Sequence, residues 1–168
     1  MRRLVRLPLP LVAACAIVLA LSAVAFAHGN NADGHGPKHG VKGGGGHGGI
    51  AVIEHADTDA TTDTGASGDS AGDVLTFANP VFDAQDRTQV ATDQGYCIRT
   101  VAGSAYECNW TTFLPKGQLV VEGPFYDTKD STLAITGGTG AYKNARGTMD
   151  LHALDGGKRY AFTFHVVG

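Results

Sequence analysis

Short runs in which apolar and polar residues alternate occupy most of the chain after residue 50. A period of two residues is typical of a β-strand with one buried face. Turn signals such as Ala-Gly-Ser, Pro-Lys-Gly and Asp-Gly-Gly-Lys separate the runs. The predicted strands cover residues 50–55, 73–79, 89–101, 105–114, 118–122, 133–136, 147–154 and 160–167.

This pattern predicts a single all-β domain over residues 50–168, because no segment has a helical period of useful length. A domain of about eight short strands must protect its edge strands from pairing with other chains. A closed antiparallel barrel or a sandwich does so at this size. Residues 56–72 interrupt the alternation with Thr, Asp and Gly, contain no basic residue, and are expected to form a long solvated loop.

The N-terminus has the pattern of an export signal. Three arginines in the first six residues precede an apolar stretch from residue 7 to residue 27, which ends in Ala25-Phe26-Ala27. Small residues at the first and third positions suit a signal peptidase, so residues 1–27 are predicted to be a signal peptide and the protein to be secreted. A retained membrane anchor and a lipoprotein modified at Cys15 are the alternatives.

Residues 28–49 are predicted to be a disordered leader, because Gly, His and Asn dominate them and Val41 is their one sizeable apolar side chain. Histidine is a metal ligand, but a flexible Gly-rich segment binds metals weakly and without selectivity. No metal site and no cofactor are therefore predicted. The histidines concerned are His28, His35, His39 and His47.

Charge and cysteine content narrow the choice of partner and compartment. The chain has 13 Lys and Arg against 16 Asp and Glu, and cleavage after Ala27 would remove three of the arginines, which leaves a formal charge of −6. An acidic protein is a poor partner for nucleic acid or for an anionic membrane, so neither is expected. Cleavage would also leave two cysteines, Cys97 and Cys108, in an oxidising compartment.

The two cysteines are predicted to form a disulfide. They are equidistant from the centre of Ala102-Gly103, so a hairpin that turns there with a loop of two or four residues places them directly opposite each other. Directly opposed Cα atoms lie about 4.5 to 5.5 Å apart, which a disulfide can span. Two buried free thiols are the alternative.

The glycine-rich stretch ITGGTGAY at residues 135–142 has two interpretations. A nucleotide site would need a following helix, a second parallel strand and an acidic ribose ligand about 20 residues later. The 26 residues after the turn contain strand patterns instead, and no Lys followed by Ser or Thr comes after Gly140. The glycines are therefore interpreted as residues that let a barrel strand bend or reverse.

Five segments carry a resemblance to a known family. GDVLTFANPVFD, DQGYCIRT, GQLVVEGPF, STLAITGGTGAYKNARG and YAFTF follow one another in that order. Residues 50–168 resemble the allene oxide cyclase and dirigent superfamily, whose members are eight-stranded antiparallel barrels with a central cavity. The resemblance implies this fold and a homo-trimer or homo-dimer. ITGGTGAYKNARG is its most specific part, and both branches of the superfamily share it.

The two branches imply different functions. Allene oxide cyclases isomerise an unsaturated fatty-acid epoxide to a cyclopentenone inside an apolar barrel, where a polar group contacts the epoxide oxygen and a buried Glu assists charge delocalisation. Dirigent proteins hold phenolic radicals in one pose while they couple. The resemblance therefore implies a hydrophobic small molecule as ligand. A cyclase or isomerase, a barrel that binds without turnover, and a secreted structural protein with a filled barrel remain three alternatives.

The resemblance also assigns site residues. Glu54 corresponds to the buried Glu and Asn79 to the oxygen contact, and these two are the candidate catalytic residues. The candidate ligand-binding residues are Leu75, Phe77, Cys97 and Phe125. Period two supports part of the set, because Leu75, Phe77 and Asn79 share one face of a strand.

Each of these residues also has a structural interpretation. Asn79 precedes Pro80 and could form a turn, Glu54 could be a solvated edge charge, and the aromatic side chains could fill a small barrel. The Ser-Pro pair that follows the Glu in cyclases is absent, because residues 56–72 contain no proline.

Overall fold

The computed structural model describes residues 49–167, and nearly all of their regular structure is β-strand. The predicted signal peptide and leader lie outside the described residues, so both stay predictions. The strands are β1 (Ile50–His55), β2 (Ala60–Thr62), β3 (Val74–Asp83), β4 (Gln89–Val101), β5 (Ala105–Leu114), β6 (Gly117–Tyr126), β7 (Ser131–Gly138), β8 (Arg146–Leu154) and β9 (Arg159–Val167).

Eight of these strands close into an antiparallel barrel, which confirms the predicted fold class. The strand order is β1-β9-β8-β7-β6-β5-β4-β3, and pairing of β1 with β3 closes the circle. The short strand β2 pairs with β3 alone, from Ala60 opposite Thr76 to Thr62 opposite Val74. No helix among residues 49–167 is long and apolar enough to cross a membrane.

Strand β3 continues past the point where the sequence predicted its end. The predicted strand ended at Asn79, directly before Pro80, and proline cannot donate a backbone hydrogen bond. In the structure β1 pairs with β3 over Val81–Asp83 and β2 pairs over Val74–Thr76, so Pro80 lies where neither strand pairs with β3 on that side. Asn79 is therefore a strand residue and not a turn former.

The gap between β1 and β2 is filled by Thr58. The Thr58 hydroxyl accepts a hydrogen bond of 2.7 Å from the backbone N–H of Ala78. A shallow groove on the outside of this gap is lined by Thr58, Thr76, Phe77 and Ala78. A side chain thus replaces the backbone ladder over part of the barrel wall.

The two ends of the barrel are packed differently. The closed end is the half that contains the C-terminal part of β3 and the N-terminal part of β4, and large side chains fill it. They include Val81, Leu119, Val121, Ile135, Met149 and Phe164, each at most 2% exposed. The open end is the half that contains the N-terminal part of β3 and the C-terminal part of β4.

The glycine motif lies at the closed end. Strand β7 ends at Gly138, and a 3-10 helix, Gly140–Tyr142, follows. The backbone of Ala141 donates to the Lys116 carbonyl at 2.8 Å, which fastens this turn to the start of β6. Gly140 has φ of +59°, and a Cβ atom there would lie 2.5 Å from the Lys116 oxygen. The glycines make a tight turn, as the sequence predicted.

The β4–β5 hairpin pairs the cysteines through a different loop from the one predicted. Val101 pairs with Ala105 across a three-residue loop, whereas Arg99 pairs with Tyr106. The bulge between Arg99 and Val101 shifts the register by one residue, so Cys97 still lies opposite Cys108. The prediction of a loop of two or four residues was wrong, and the predicted pairing is present.

Candidate functional site

A pocket lies inside the open end and opens partly to solvent. Its cavity volume is about 40 Å³. A buried water needs roughly 10 to 15 Å³ by this kind of measure, so the space suits a few heavy atoms and not a whole lipid. The side chains that surround it are Glu54, Asp59, Leu75, Phe77, Cys97, Cys108, Trp110, Phe125, Leu151, Tyr160 and Phe162.

The sequence-predicted ligand residues therefore meet at one place. Leu75, Phe77, Cys97 and Phe125 come from three different strands, and all four line the pocket together with Glu54. Whether they bind a ligand stays a prediction. The barrel is neither open throughout nor filled throughout. The open end contains this pocket, and large buried side chains fill the closed end.

Aromatic side chains form much of the pocket wall. The ring of Trp110 lies 6.0 Å from that of Phe77, edge to face, and 5.7 Å from that of Phe162. Phe125 and Tyr160 form a second edge-to-face pair at 5.7 Å. Such pairs hold each other at fixed angles. Trp110 is the one aromatic residue of this lining that lies outside the five segments that carry the family resemblance.

Gly95 explains how Trp110 fits. The two residues are paired across β4 and β5, and a Cβ atom on Gly95 would lie 2.3 Å from the Cβ of Trp110. Real Cβ atoms do not approach so closely, so the inward-facing position opposite the indole must be a glycine. This glycine makes room for the largest side chain in the pocket.

The disulfide between Cys97 and Cys108 is present and lies in the pocket wall. The two Cα atoms are 4.0 Å apart, and both cysteines are at most 4% exposed. The bond links β4 to β5 directly below the hairpin. It fixes the position of both side chains in this part of the wall.

Asn79 holds the carboxylates of the pocket in place. Its Nδ2 atom donates to Glu54 Oε1 at 2.7 Å and to Asp59 Oδ1 at 2.8 Å. Its Oδ1 atom accepts from the backbone N–H and the hydroxyl of Thr58, at 2.9 and 3.0 Å. Asn79 is 1% exposed and lies behind the pocket lining. The direct contact with a substrate oxygen, implied by the resemblance, stays a prediction.

Asp59 is a site residue that the sequence did not reveal. The sequence analysis treated it as one acid of a solvated loop, but residues 56–72 contain strand β2, and Asp59 reaches the pocket. Most of this segment is exposed, as expected. Asp59 differs from its neighbours because pairing of β2 with β3 carries it to Asn79, a long-range contact that no local pattern indicates.

Asp93 is a second residue that was missed. It lies opposite Asn79 on one side and opposite Thr112 on the other, so a row of three buried polar residues crosses β3, β4 and β5. Asp93 is four positions before Cys97 on the same face of β4. That shared face is the signal by which the sequence could have indicated it.

Glu54 and Asp93 form a buried carboxyl pair. Burial raises the pKa of Asp93 to about 9, with further contributions from the charge of Glu54 and from a hydrogen bond to it. Burial also raises the pKa of Glu54 to about 7, although the hydrogen bond from Asn79 opposes this change. Between these values the pair holds one proton, mainly on Asp93, and Glu54 is the group that gains or loses a proton near neutral pH.

The arrangement can bind an apolar molecule and exchange a proton with it. Aromatic and aliphatic side chains supply contact area, and Glu54 supplies one ionisable oxygen pair in a largely apolar setting. Within the described residues no group of three or more His, Cys, Asp or Glu is arranged to hold a metal ion.

Comparison with known proteins agrees with the barrel fold. The family model for allene oxide cyclase matches residues 52–168. Among solved structures, pyocyanin demethylase is 26% identical, with a TM-score of 0.60 over 69% of this chain and 99% of its own. A pterocarpan synthase dirigent protein is 17% identical, with a TM-score of 0.56 over 71% of this chain and 96% of its own.

A third solved structure, an exo-specific intermolecular Diels-Alderase, is 10% identical. Its TM-score is 0.54, and the match covers 73% of this chain and 100% of that protein. Proteins of this barrel fold therefore include enzymes of different chemistry as well as dirigent proteins, so the fold alone does not select a reaction.

Proposed function

The chain belongs to the allene oxide cyclase family, and on that premise we propose that it binds a hydrophobic small molecule at the open end and isomerises or cyclises it. The observation that carries the proposal is the Glu54 carboxyl group, 5% exposed, in a pocket whose other walls are mostly apolar. The apolar walls supply affinity, and the few polar groups supply orientation.

Glu54 is the proposed catalytic residue. A pKa raised to about 7 makes its carboxyl group equally able to accept and to donate a proton near neutral pH. A proton removed from one carbon or oxygen of the substrate and returned at another changes the structure but not the composition. Such a reaction needs no further reactant, which suits a family of isomerases.

Asn79 and Asp93 have supporting roles in this proposal. The amide of Asn79 fixes the orientation of Glu54, and the raised pKa of Asp93 keeps that neighbouring carboxyl group protonated at neutral pH. The aromatic walls restrict the substrate to one pose, and a near-attack pose can supply several kcal/mol of the barrier. Restriction of the substrate to one pose and proton transfer by Glu54 are therefore separate contributions to the rate.

Binding without turnover, as in a dirigent protein, is the second candidate. The aromatic pairs around Phe125 and Trp110 favour it, because they suit a ring-bearing ligand held in one orientation. Secretion is part of the proposal as well, and it is supported by the disulfide, which is typical of oxidising compartments. A homo-trimer or homo-dimer, implied by the resemblance, also stays a proposal.

The test uses three variants and a small panel of unsaturated epoxides and phenolic-radical precursors. We expect Phe77→Ala to weaken binding and to change the chirality of the product. We expect Glu54→Gln to keep binding and to lose turnover. We expect Asn79→Ala to leave binding nearly intact and to reduce turnover strongly.

Glu122→Gln is the matched control, because Glu122 is an exposed carboxylate on the outer face of β6. It should change neither binding nor turnover. If the wild type binds panel members without converting any, the second candidate is correct. If no panel member binds, both candidates fail and the barrel has a structural role.

A further inference from the structure

We propose that the pocket is specific for a planar aromatic cation over a neutral or anionic molecule of the same shape. This inference rests on the proposed function, because it presupposes that the open end binds a small molecule. It names the chemical class of that molecule.

The composition of the pocket lining is the first support. Two carboxyl groups belong to the lining, those of the buried Glu54 and the exposed Asp59, and no Lys, Arg or His does. The same lining contains five aromatic side chains, namely Phe77, Trp110, Phe125, Tyr160 and Phe162. Aromatic faces attract cations, and recognition of methylated ammonium groups by cages of aromatic side chains is a known use of this attraction.

Two arginines near the open end are already paired with other acids. Arg99 forms ion pairs with Asp69 and Asp127, each at 2.7 Å, and its guanidinium group lies 3.6 Å from the centre of the Tyr106 ring. Arg159 forms ion pairs with Asp86 and Asp155. Neither arginine is bonded to Glu54 or Asp59, so the charge of the pocket is not cancelled by a direct partner.

The pKa of Tyr160 reflects the negative potential of the same carboxyl groups. Its pKa is raised to about 12 by burial, then by the charges of Asp59 and Glu54, and then by that of Asp127. A phenol in this position resists becoming an anion. The same electrostatic potential would disfavour a carboxylate ligand and favour a cation.

The size of the cavity limits which part of the ligand enters. A volume of about 40 Å³ suits a methylated nitrogen and the ring atoms next to it. The remainder of a planar ring would lie at the mouth, where Leu75, Phe77, Phe125 and Tyr160 are half-buried. These side chains lose their remaining exposure when a flat apolar ring covers them.

Trp110 provides a further indication of a ligand. It is 3% exposed, and its indole N–H has no hydrogen-bond partner among the described residues. Buried polar groups are nearly always hydrogen-bonded, so an unpaired donor in a pocket wall requires an explanation. An acceptor atom on the bound molecule would satisfy this N–H.

The experiment compares three ligands of nearly equal shape at pH 8, namely N-methylquinolinium, 1-methylnaphthalene and 1-naphthoate. Calorimetry gives the dissociation constants, and fluorescence of Trp110, the single tryptophan of the chain, reports binding at the pocket. We expect the cation to bind at least tenfold more tightly than the neutral molecule, and the anion to bind most weakly.

Variants then assign the preference to the pocket. Asp59→Asn should reduce the affinity for the cation several-fold and leave that for 1-methylnaphthalene unchanged, and Glu54→Gln should do the same. Glu122→Gln, which removes a charge from the outer face of β6, should change neither. Melting temperatures of all three variants show whether each one is folded.

The results distinguish this inference from the proposed function. Equal or tighter binding of 1-methylnaphthalene overturns the preference for a cation and leaves a hydrophobic pocket in place. A preference for the cation that persists in both pocket variants also overturns the inference, because the charge would then act elsewhere. Failure of all three ligands to bind overturns both proposals.

Discussion

The closed end and the open end of the barrel are made from the same strands but have opposite character. At the closed end, inward positions such as Leu119, Met149 and Phe164 are entirely buried apolar side chains. At the open end, inward positions include Glu54 and the partly exposed Phe77 and Tyr160 around a pocket. One end is therefore a packed apolar core, and the other contains the pocket.

A polar row separates the two ends. Asn79, Asp93 and Thr112 lie side by side on three strands, and each is at most 1% exposed. Burying such groups costs free energy unless they are hydrogen-bonded or neutral. This cost arises where the apolar core meets the pocket. Proteins commonly contain such locally unfavourable groups at functional sites.

The difference in stability between the two ends can be tested most directly by removing an aromatic ring at each end. We expect Phe164→Ala to lower the free energy of unfolding by about 3 to 5 kcal/mol, because the ring is fully buried and the closed end cannot collapse around the cavity. Phe77→Ala should cost about 1 kcal/mol, since Phe77 is partly exposed. Urea unfolding of both variants measures the difference, and equal losses would contradict a division of roles.

The disulfide should be the largest single stabiliser of the open end. Reduction should lower the free energy of unfolding by about 3 kcal/mol or less, because a separation of 11 residues closes only a short loop. The measurement is denaturant unfolding with and without reductant. Thiol titration of the unfolded, unreduced protein gives the control, and two reactive thiols there would show that the bond does not form.

The turns at the two ends provide a matched pair of glycines. Gly140 at the closed end and Gly103 in the β4–β5 hairpin both have positive φ, of +59° and +65°. A Cβ atom would meet the Lys116 oxygen at Gly140 but nothing within 4 Å at Gly103. We expect Gly140→Ala to cost about 2 kcal/mol or more and Gly103→Ala about 1 kcal/mol. Thermal unfolding of the two variants compares them, and a reversed order would show that the closed-end turn is adaptable.

The carboxyl pair predicts that stability falls as pH rises. In the folded protein the pKa of Glu54 is raised from 4.5 to about 7 and that of Asp93 from 3.8 to about 9, so the folded state retains protons that the unfolded state loses. The free energy of unfolding is therefore highest, as far as this pair is concerned, below about pH 4. It decreases as pH rises from there towards 9. We expect the free energy of unfolding to decrease continuously between pH 5 and pH 9, and denaturant unfolding at a series of pH values measures this.

Asp93→Asn tests the origin of this decrease. The variant should be clearly less sensitive to pH over the same interval, because asparagine cannot lose a proton there. Asp73, Asp83 and Asp86 have lowered pKa values, so their effect on stability appears only below about pH 4 and does not interfere. Unfolding curves with an unchanged pH dependence would exclude the pair as its cause.

The sequence predicted the strands well because alternation reports burial directly. The bounds of β1, β4 and β5 agree with the alternating runs, and the cysteine pairing follows from hairpin register. Strands β3 and β6 extend beyond their predicted ends at Asn79 and Glu122, because Pro80 and the Gly123-Pro124 pair lie inside strands. Proline was treated as an end signal, whereas strand pairing in the folded barrel permits it.

The site was predicted only in part, for a related reason. Residues on the alternating face of β3, such as Phe77 and Asn79, could be grouped from their spacing. Asp59 could not, because its place in the pocket depends on β2 pairing with β3 and on the contact with Asn79. The family motif around Gly140 lies at the closed end, so it identified the barrel but contained no information about the chemistry at the other end.

The gap that Thr58 fills between β1 and β2 has a consequence for local opening of the barrel wall. A wall fastened there by a hydroxyl group can open locally without the loss of a continuous ladder of backbone bonds. Phe77 lies between the outer groove at this gap and the inner pocket, since it lines both. Amide hydrogen exchange should therefore be fastest at Ala78 among the inner residues of β3. A ligand bound in the pocket should slow this exchange, because it would hinder local opening of the wall at the gap.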